Sequence, residues 1–139
     1  MEIATARAAV LVRRAAGVGQ PINLETAKKV AAAAIAEAER RNWNTLCIAV
    51  VNPSGDLVYF EKQDNCQYAS IGISQHKART AARFRRPTLV FETLLGKGPY
   101  FAYLATLDDV IASRGGNPLV VDGKVIGAHR RKRRHRLAG

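Results

Sequence analysis

Between Leu24 and Arg41 the apolar residues Leu24, Ala27, Ala31, Ala34, Ile35 and Ala38 recur three or four positions apart, the spacing of one helix face. Asn23 stands where a cap belongs, Glu25 suits the positive first turn, and Arg40 and Arg41 suit the opposite end, so a helix is predicted over about 24–41. The period then changes. Thr45 to Val51 is a mostly apolar run of strand length, Asn52-Pro53-Ser54-Gly55-Asp56 is a concentrated turn signal, and Leu57 to Lys62 reads as the returning strand of a hairpin. After a polar loop, Gln63 to Gln67, helical spacing resumes from Tyr68 to Arg83 through Ile71, Ser74, Gln75, Ala78, Ala81 and Ala82. Arg85-Arg86-Pro87 ends that helix, because the residue before a proline is pushed out of the α region. Thr88 is placed to cap a shorter helix reaching Gly96, and Gly98-Pro99 opens an aromatic stretch with Tyr100, Phe101 and Tyr103. Val110-Ile111-Ala112 is a short strand candidate. Leu119 to Val121, Asp122-Gly123 and Lys124 to Gly127 form the clearest hairpin, since Asp-Gly favours the type I′ turn. The order α-β-β-α-α-β-β-β implies an α+β fold with a mostly antiparallel sheet. After Gly127 the pattern stops, and residues 1–20 carry none that assigns an element.

Composition refines this picture. The chain of 139 residues, 47% hydrophobic, has the size of one domain with a real core. No apolar run has the roughly 18–20 residues of a membrane helix, and Ala8 to Val12 is too short for a signal region, so a cytoplasmic location is the default expectation. The net charge of +11 invites a nucleic-acid partner, yet Arg130, Arg131, Lys132, Arg133, Arg134 and Arg136 supply six of those charges. Without them the remainder carries +5. Nucleic-acid binding by this tail is therefore read as incidental, and the run of His, Arg and Lys is expected to be solvated. Cys47 and Cys66 are too few and too far apart to define a metal knuckle or a disulfide framework. Cys47 reads as a small core residue, and Cys66 as a loop residue that is either inert, a reactive thiol or a soft ligand. Asp108-Asp109 reads as a turn before a strand. The sequence has no Gly-rich phosphate loop, HExxH or nucleophile elbow, so nothing in it demands an enzyme.

Several segments resemble the GlcG/HbpS-like family of haem-binding proteins. They are Leu24-Glu25-Thr26-Ala27-Lys28-Lys29, Ile48-Ala49-Val50-Val51-Asn52-Pro53-Ser54-Gly55-Asp56-Leu57, Lys77-Ala78-Arg79-Thr80-Ala81, Arg85-Arg86-Pro87-Thr88, Gly115-Gly116-Asn117-Pro118-Leu119-Val120 and Asp122-Gly123-Lys124-Val125-Ile126-Gly127-Ala128. The resemblance covers about residues 21–128 in one chain order. It implies a profilin-like α+β fold, an antiparallel sheet with helices packed on it, assembled into homo-oligomers. It also implies haem or another small molecule as partner, in storage, buffering, sensing or degradation of haem. Relatives beside glycolate and diol metabolism, or fused to corrinoid enzymes, imply the alternative of a small-metabolite or corrinoid-related redox accessory enzyme.

The resemblance breaks at Ala128, where family members continue with a last strand, a Gly-Gly loop and a C-terminal helix. Codons permissible for Ala128 to Gly139, with one C omitted near their start, encode Ala-Ile-Gly-Val-Ser-Gly-Gly-Thr-Ala-Ser-Gln. That string looks like the missing strand and loop. The tail is accordingly read as an out-of-frame stretch of a GC-rich gene, a reading that resequencing without an extra base would remove. The expected organisation is an N-terminal extension over 1–20, a GlcG/HbpS-like domain over 21–128 and a basic tail over 129–139, with the final strand and C-terminal helix missing.

Haem needs an apolar slot, an axial ligand and cations for its propionates. His76, the one histidine before the tail, shares a helix neighbourhood with Arg79 and Arg83; it reads either as an iron ligand beside two propionate-binding guanidiniums or as part of a packed or solvated face. Tyr68, Tyr100 and Tyr103 are weaker ligand candidates, since such a residue is more often a packing aromatic with its hydroxyl at the rim. Arg85 and Arg86 either hold propionates or end a helix and pair with Glu92. Gly115, Gly116 and Pro118 read as backbone-shape residues.

Overall fold

The computed structural model describes residues 17–130. Its elements are β1 (Gly17–Val18), α1 (Leu24–Arg40), β2 (Cys47–Val51), β3 (Leu57–Lys62), α2 (Ala69–Phe84), α3 (Thr88–Leu95), a 3₁₀ helix (Pro99–Thr106), β4 (Gly116–Val121) and β5 (Lys124–Arg130). The fold is α+β, as the order of patterns implies. Asn23 caps α1 as expected, its side chain accepting from the Thr26 amide at 2.8 Å. Asn52 organises the β2–β3 turn by accepting from the Ser54 and Asp56 amides, each at 3.0 Å. Asp122 and Gly123 both take positive φ, the conformation a type I′ turn demands.

The sheet runs β3-β2-β5-β4, antiparallel throughout, and β1 adds one short parallel pairing against the start of β5. Side chains alternate along β2. Ile48 and Val50 join Ala27, Ala31 and Ala38 of α1 on one face. Ala49 and Val51 join Ala78, Ala81 and Ala82 of α2 and Ala128 of β5 on the other. Both faces of β2 are therefore covered, which is why all five of its residues are buried.

Four expectations need correction. Val110 to Ala112 is not a strand: the Ile111 amide donates to the Thr80 hydroxyl at 3.2 Å, so a helix side chain satisfies it in place of a strand partner. Thr88 starts α3 but does not cap it, because its hydroxyl accepts from the Gly116 amide at 2.9 Å. Cys47 and Cys66 are joined in a disulfide, with Cα atoms 6.0 Å apart, since the β2–β3 hairpin and its following loop bring Cys66 back beside the start of β2. Cys47 is buried as expected, but neither thiol is free. Finally, regular structure does not stop at Ala128: β5 continues through His129 and Arg130, which pair with Asn117 and Gly116. Gly17 and Val18, inside the segment read as an extension, belong to the sheet. Residues 131–139, most of the basic tail, lie outside the described residues.

Arg130 is an awkward end for a strand. Only 5% of it is exposed, its Nη1 donates to the Cys47 carbonyl at 3.0 Å, and its Nε has no hydrogen-bond partner among the described residues. Burial disfavours its charge, yet a guanidinium cannot release its proton in a protein. The buried Lys77 feels the same environment. Desolvation, and then repulsion from Arg130, hold its ammonium below the usual lysine range, while its Nζ donates to the Arg114 carbonyl at 2.9 Å.

Candidate functional site: a cationic cluster on the second helix

Helix α2 presents His76, Arg79 and Arg83 at spacings of three and four, so their side chains share one face. The β2–β3 turn forms a wall against them. Arg83 Nε donates to the Ser54 carbonyl at 2.8 Å. Gly55 has φ of +89°, which favours glycine, and an added Cβ would stand 2.6 Å from Arg79 Cγ and 2.9 Å from Arg83 Nε, so it would push both arginine side chains out of place.

One carboxylate fills the cluster. Asp109 Oδ1 accepts from Arg79 Nη2 at 2.7 Å and lies 3.3 Å from His76 Nε2. Its Oδ2 is 2.6 Å from Arg79 Nε and accepts from Arg83 Nη1 at 2.6 Å. The His76 contact is off the hydrogen-bond line and becomes an ion pair only when the imidazole is protonated. The hydrogen bond from Arg79 has the largest effect and holds the Asp109 carboxyl below the usual carboxylate range; burial opposes it, and the charges of Arg79, His76 and Arg83 each add a smaller lowering. Because that pKa is lowered on folding, the contribution to stability is present above the unfolded value of about 3.9 and is lost as pH falls through the folded value. The side chain is about one-third exposed, so the effect is that of a surface network, about 1 kcal/mol or less. The melting temperature of the wild type is expected to exceed that of Asp109→Asn slightly at pH 6, with the gap closing as the pH falls below the unfolded value and the carboxylate is protonated. A constant gap across this range would show that the ion cluster contributes nothing.

The other sequence candidates sit elsewhere. Arg85 takes φ of 54° and ends α2, and Arg86 donates from Nε to the Phe84 carbonyl at 3.3 Å while its guanidinium lies 6.0 Å from the centre of the Phe91 ring. Both therefore shape the α2–α3 junction, while Glu92 takes Arg114 at 2.7 Å. Tyr68 precedes α2 and is largely exposed. Tyr100 packs edge-on against Phe101 and Tyr103 on the 3₁₀ helix, and Tyr100 and Tyr103 are exposed. Two residues escaped the sequence reading. Asp109 looked like one half of a turn, and nothing in one sequence says which cation a loop acid will meet. Lys77 stood in the motif but without a signal for its burial. Gly116 is a backbone-shape residue, as read: its Cα lies so close to α2 that an added Cβ would stand 2.8 Å from the Lys77 carbonyl carbon and 2.9 Å from Thr88 Cγ2.

A separate open cleft of about 500 Å³ lies between the end of α1 and the loop after β3. Its lining residues are polar or charged except Ile35, with Glu39, Glu61, Lys62 and Asp64 among them, and it lacks the apolar walls a porphyrin needs. No group of three or more His, Cys, Asp or Glu side chains among the described residues is arranged to hold a metal ion, and no described helix is long and apolar enough to cross a membrane.

A central antiparallel sheet with α1 on one face and α2 on the other, bearing an Arg-Arg-His cluster on the outer side of α2, defines a small α+β domain. Residues 22–129 match the family described as haem degrading protein HbpS-like, and the chain belongs to that family. Protein GlcG of Escherichia coli is 37% identical over 107 residues, which span 77% of this chain and 78% of that one. HbpS of Streptomyces reticuli superposes with a TM-score of 0.71 at 25% identity, over 81% of this chain and 77% of that one. A haem complex of PduOC superposes with a TM-score of 0.70 over 79% of this chain and 80% of that one, and at 18% identity it bears on the fold alone.

Proposed function

We propose that this chain binds haem and handles it by storage, buffering or sensing, as a homo-oligomer in the cytoplasm. The observation that carries the reading is the grouping of His76, Arg79 and Arg83 on one outer face of a chain from the HbpS-like family. The donor set fits the group. His76 Nε2 makes no hydrogen bond but is covered, 3.3 Å from Asp109 Oδ1, so it would meet iron only with Asp109 displaced, and the two guanidiniums already hold a carboxylate in the way they would hold a propionate. Bound haem would supply a redox-active iron. The chain's own part is to orient the macrocycle through Arg79 and Arg83 and to offer the His76 imidazole.

Titrating haemin into the full chain is expected to give a saturable, shifted Soret band. His76→Ala should weaken binding about 10-fold or more and alter the ferric spectrum. Haemin dimethyl ester, which lacks free propionates, should bind more weakly than haemin to the wild type but equally to Arg79→Ala/Arg83→Ala. A Soret band that never saturates in the wild type would remove the haem reading.

A further inference from the structure

The segment that delivers Asp109 has little else to hold it. Residues 105–109 are all exposed, Asp109 itself takes φ of 58°, and the chain is next tied down at Ile111. Upstream, the Thr106 hydroxyl donates to the Tyr103 carbonyl at 2.7 Å, a bond within the 3₁₀ helix that ends there. The cationic cluster, in contrast, is fixed independently of this segment. Arg79 and Arg83 stand on a 16-residue helix against the Ser54–Gly55 turn, and Arg83 Nε is held by the Ser54 carbonyl. Asp109 supplies one negative charge to two permanent positive charges and an imidazole, so the cluster keeps an excess of positive charge when filled. Its side chains are roughly one-third exposed, within reach of a solute.

A rigid receptor filled by a weakly anchored carboxylate is an exchangeable arrangement. We infer that Asp109 stands in for the carboxylate of a ligand, and that residues 105–110 form a latch which such a ligand displaces from His76, Arg79 and Arg83. The exchange replaces one set of charge-assisted hydrogen bonds with an equivalent set, and little buried contact is lost when the segment lifts. The matching ligand class is a small organic acid or a larger molecule bearing a carboxylate arm, since both present the same planar, two-oxygen group to the Arg79 fork. The inference rests on the side chains used in the haem reading, but its test needs no haem.

The experiment measures succinate binding to the full chain by calorimetry, for the wild type, for Asp109→Gly, and for Asp109→Gly combined with Arg79→Ala and Arg83→Ala. Glycine suits the positive φ at this position and removes the competing carboxylate. Asp109→Gly is expected to bind about 10-fold more tightly than the wild type, and the triple variant not measurably. In the wild type, saturating succinate should accelerate amide exchange in residues 105–110, a readout that does not depend on any variant folding. Equal affinity in the wild type and Asp109→Gly, binding that survives loss of both arginines, or unchanged exchange in 105–110 would each overturn the latch. Succinate binding with no haemin binding would sink the haem reading and leave the latch standing. The reverse result would spare haem and remove the latch. Haemin dimethyl ester separates the two carboxylate sources: if Asp109→Gly tightens haemin but not its ester, the displacing carboxylate includes the propionates.

Discussion

Gly116→Ala is expected to destabilise the domain by about 3 kcal/mol, enough to unfold a large fraction of a marginally stable protein. The added methyl group would press on the Lys77 carbonyl and on Thr88 Cγ2, and neither can yield cheaply. The carbonyl belongs to the middle of α2, and Thr88 is fully buried with its hydroxyl engaged by the Gly116 amide itself. Relief requires β4 to separate from α2, which loosens Lys77 from the Arg114 carbonyl and uncovers the sheet edge. Two other glycines serve as controls in the same urea titration. Gly96→Ala meets nothing closer than 3.5 Å and should be nearly neutral. Gly72→Ala, exposed on α2 with no atom within 4 Å, should stabilise by about 0.5–1 kcal/mol through helix propensity. If Gly116→Ala behaved like Gly96→Ala, the close approach of β4 to α2 would be wrong.

Opening the Cys47–Cys66 disulfide is expected to cost a similar amount. The bridge spans 19 residues, and a closed loop of that length restricts the unfolded chain by about 3 kcal/mol. It encloses the whole β2–β3 hairpin and fastens the loop that leads into α2. Reduction, or Cys66→Ser, should therefore lower the melting temperature by roughly 10 °C. Indistinguishable melting curves with and without reductant would mean that the pair is not bridged in solution. The measurement also bears on location. A reducing compartment keeps such thiols apart, so the oxidised fraction in protein trapped directly from cells would test the cytoplasmic assignment.

What could be read from the sequence was local chemistry. The Asn23 cap, the Asn52 turn and the Asp122-Gly123 hairpin each lie within a few residues of the partners they engage, so their signals are complete in a short window. The rest depends on pairs far apart in the chain. Val110 to Ala112 looks like a strand until the Thr80 hydroxyl, about 30 residues earlier, is seen to take the Ile111 amide. Cys47 and Cys66 appear unrelated until the hairpin between them is folded. The candidate site divides in the same way. Helical spacing groups His76, Arg79 and Arg83 without help from the structure, whereas Asp109, Ser54 and Gly55 reach them from other elements. Arg85 and Arg86 are legible as a helix end from Pro87, and the structure adds the left-handed turn at Arg85.

The contact between α2 and the sheet is made largely of methyl groups. Ala78, Ala81 and Ala82 meet Ala49 and Ala128, with Val51 as the largest residue of the buried cluster. Side chains this short leave the helix and sheet backbones nearly touching. A flat ring system slipped between them would force the layers apart by about 3.5 Å along the whole interface and forfeit its dispersion contacts. A planar guest held by His76, Arg79 and Arg83 would therefore rest against the outside of α2, like a plate leaning on a wall, with its far side turned to water. Shelter for that far side has to come from beyond this chain's own two layers, and another copy laid across α2 would provide it.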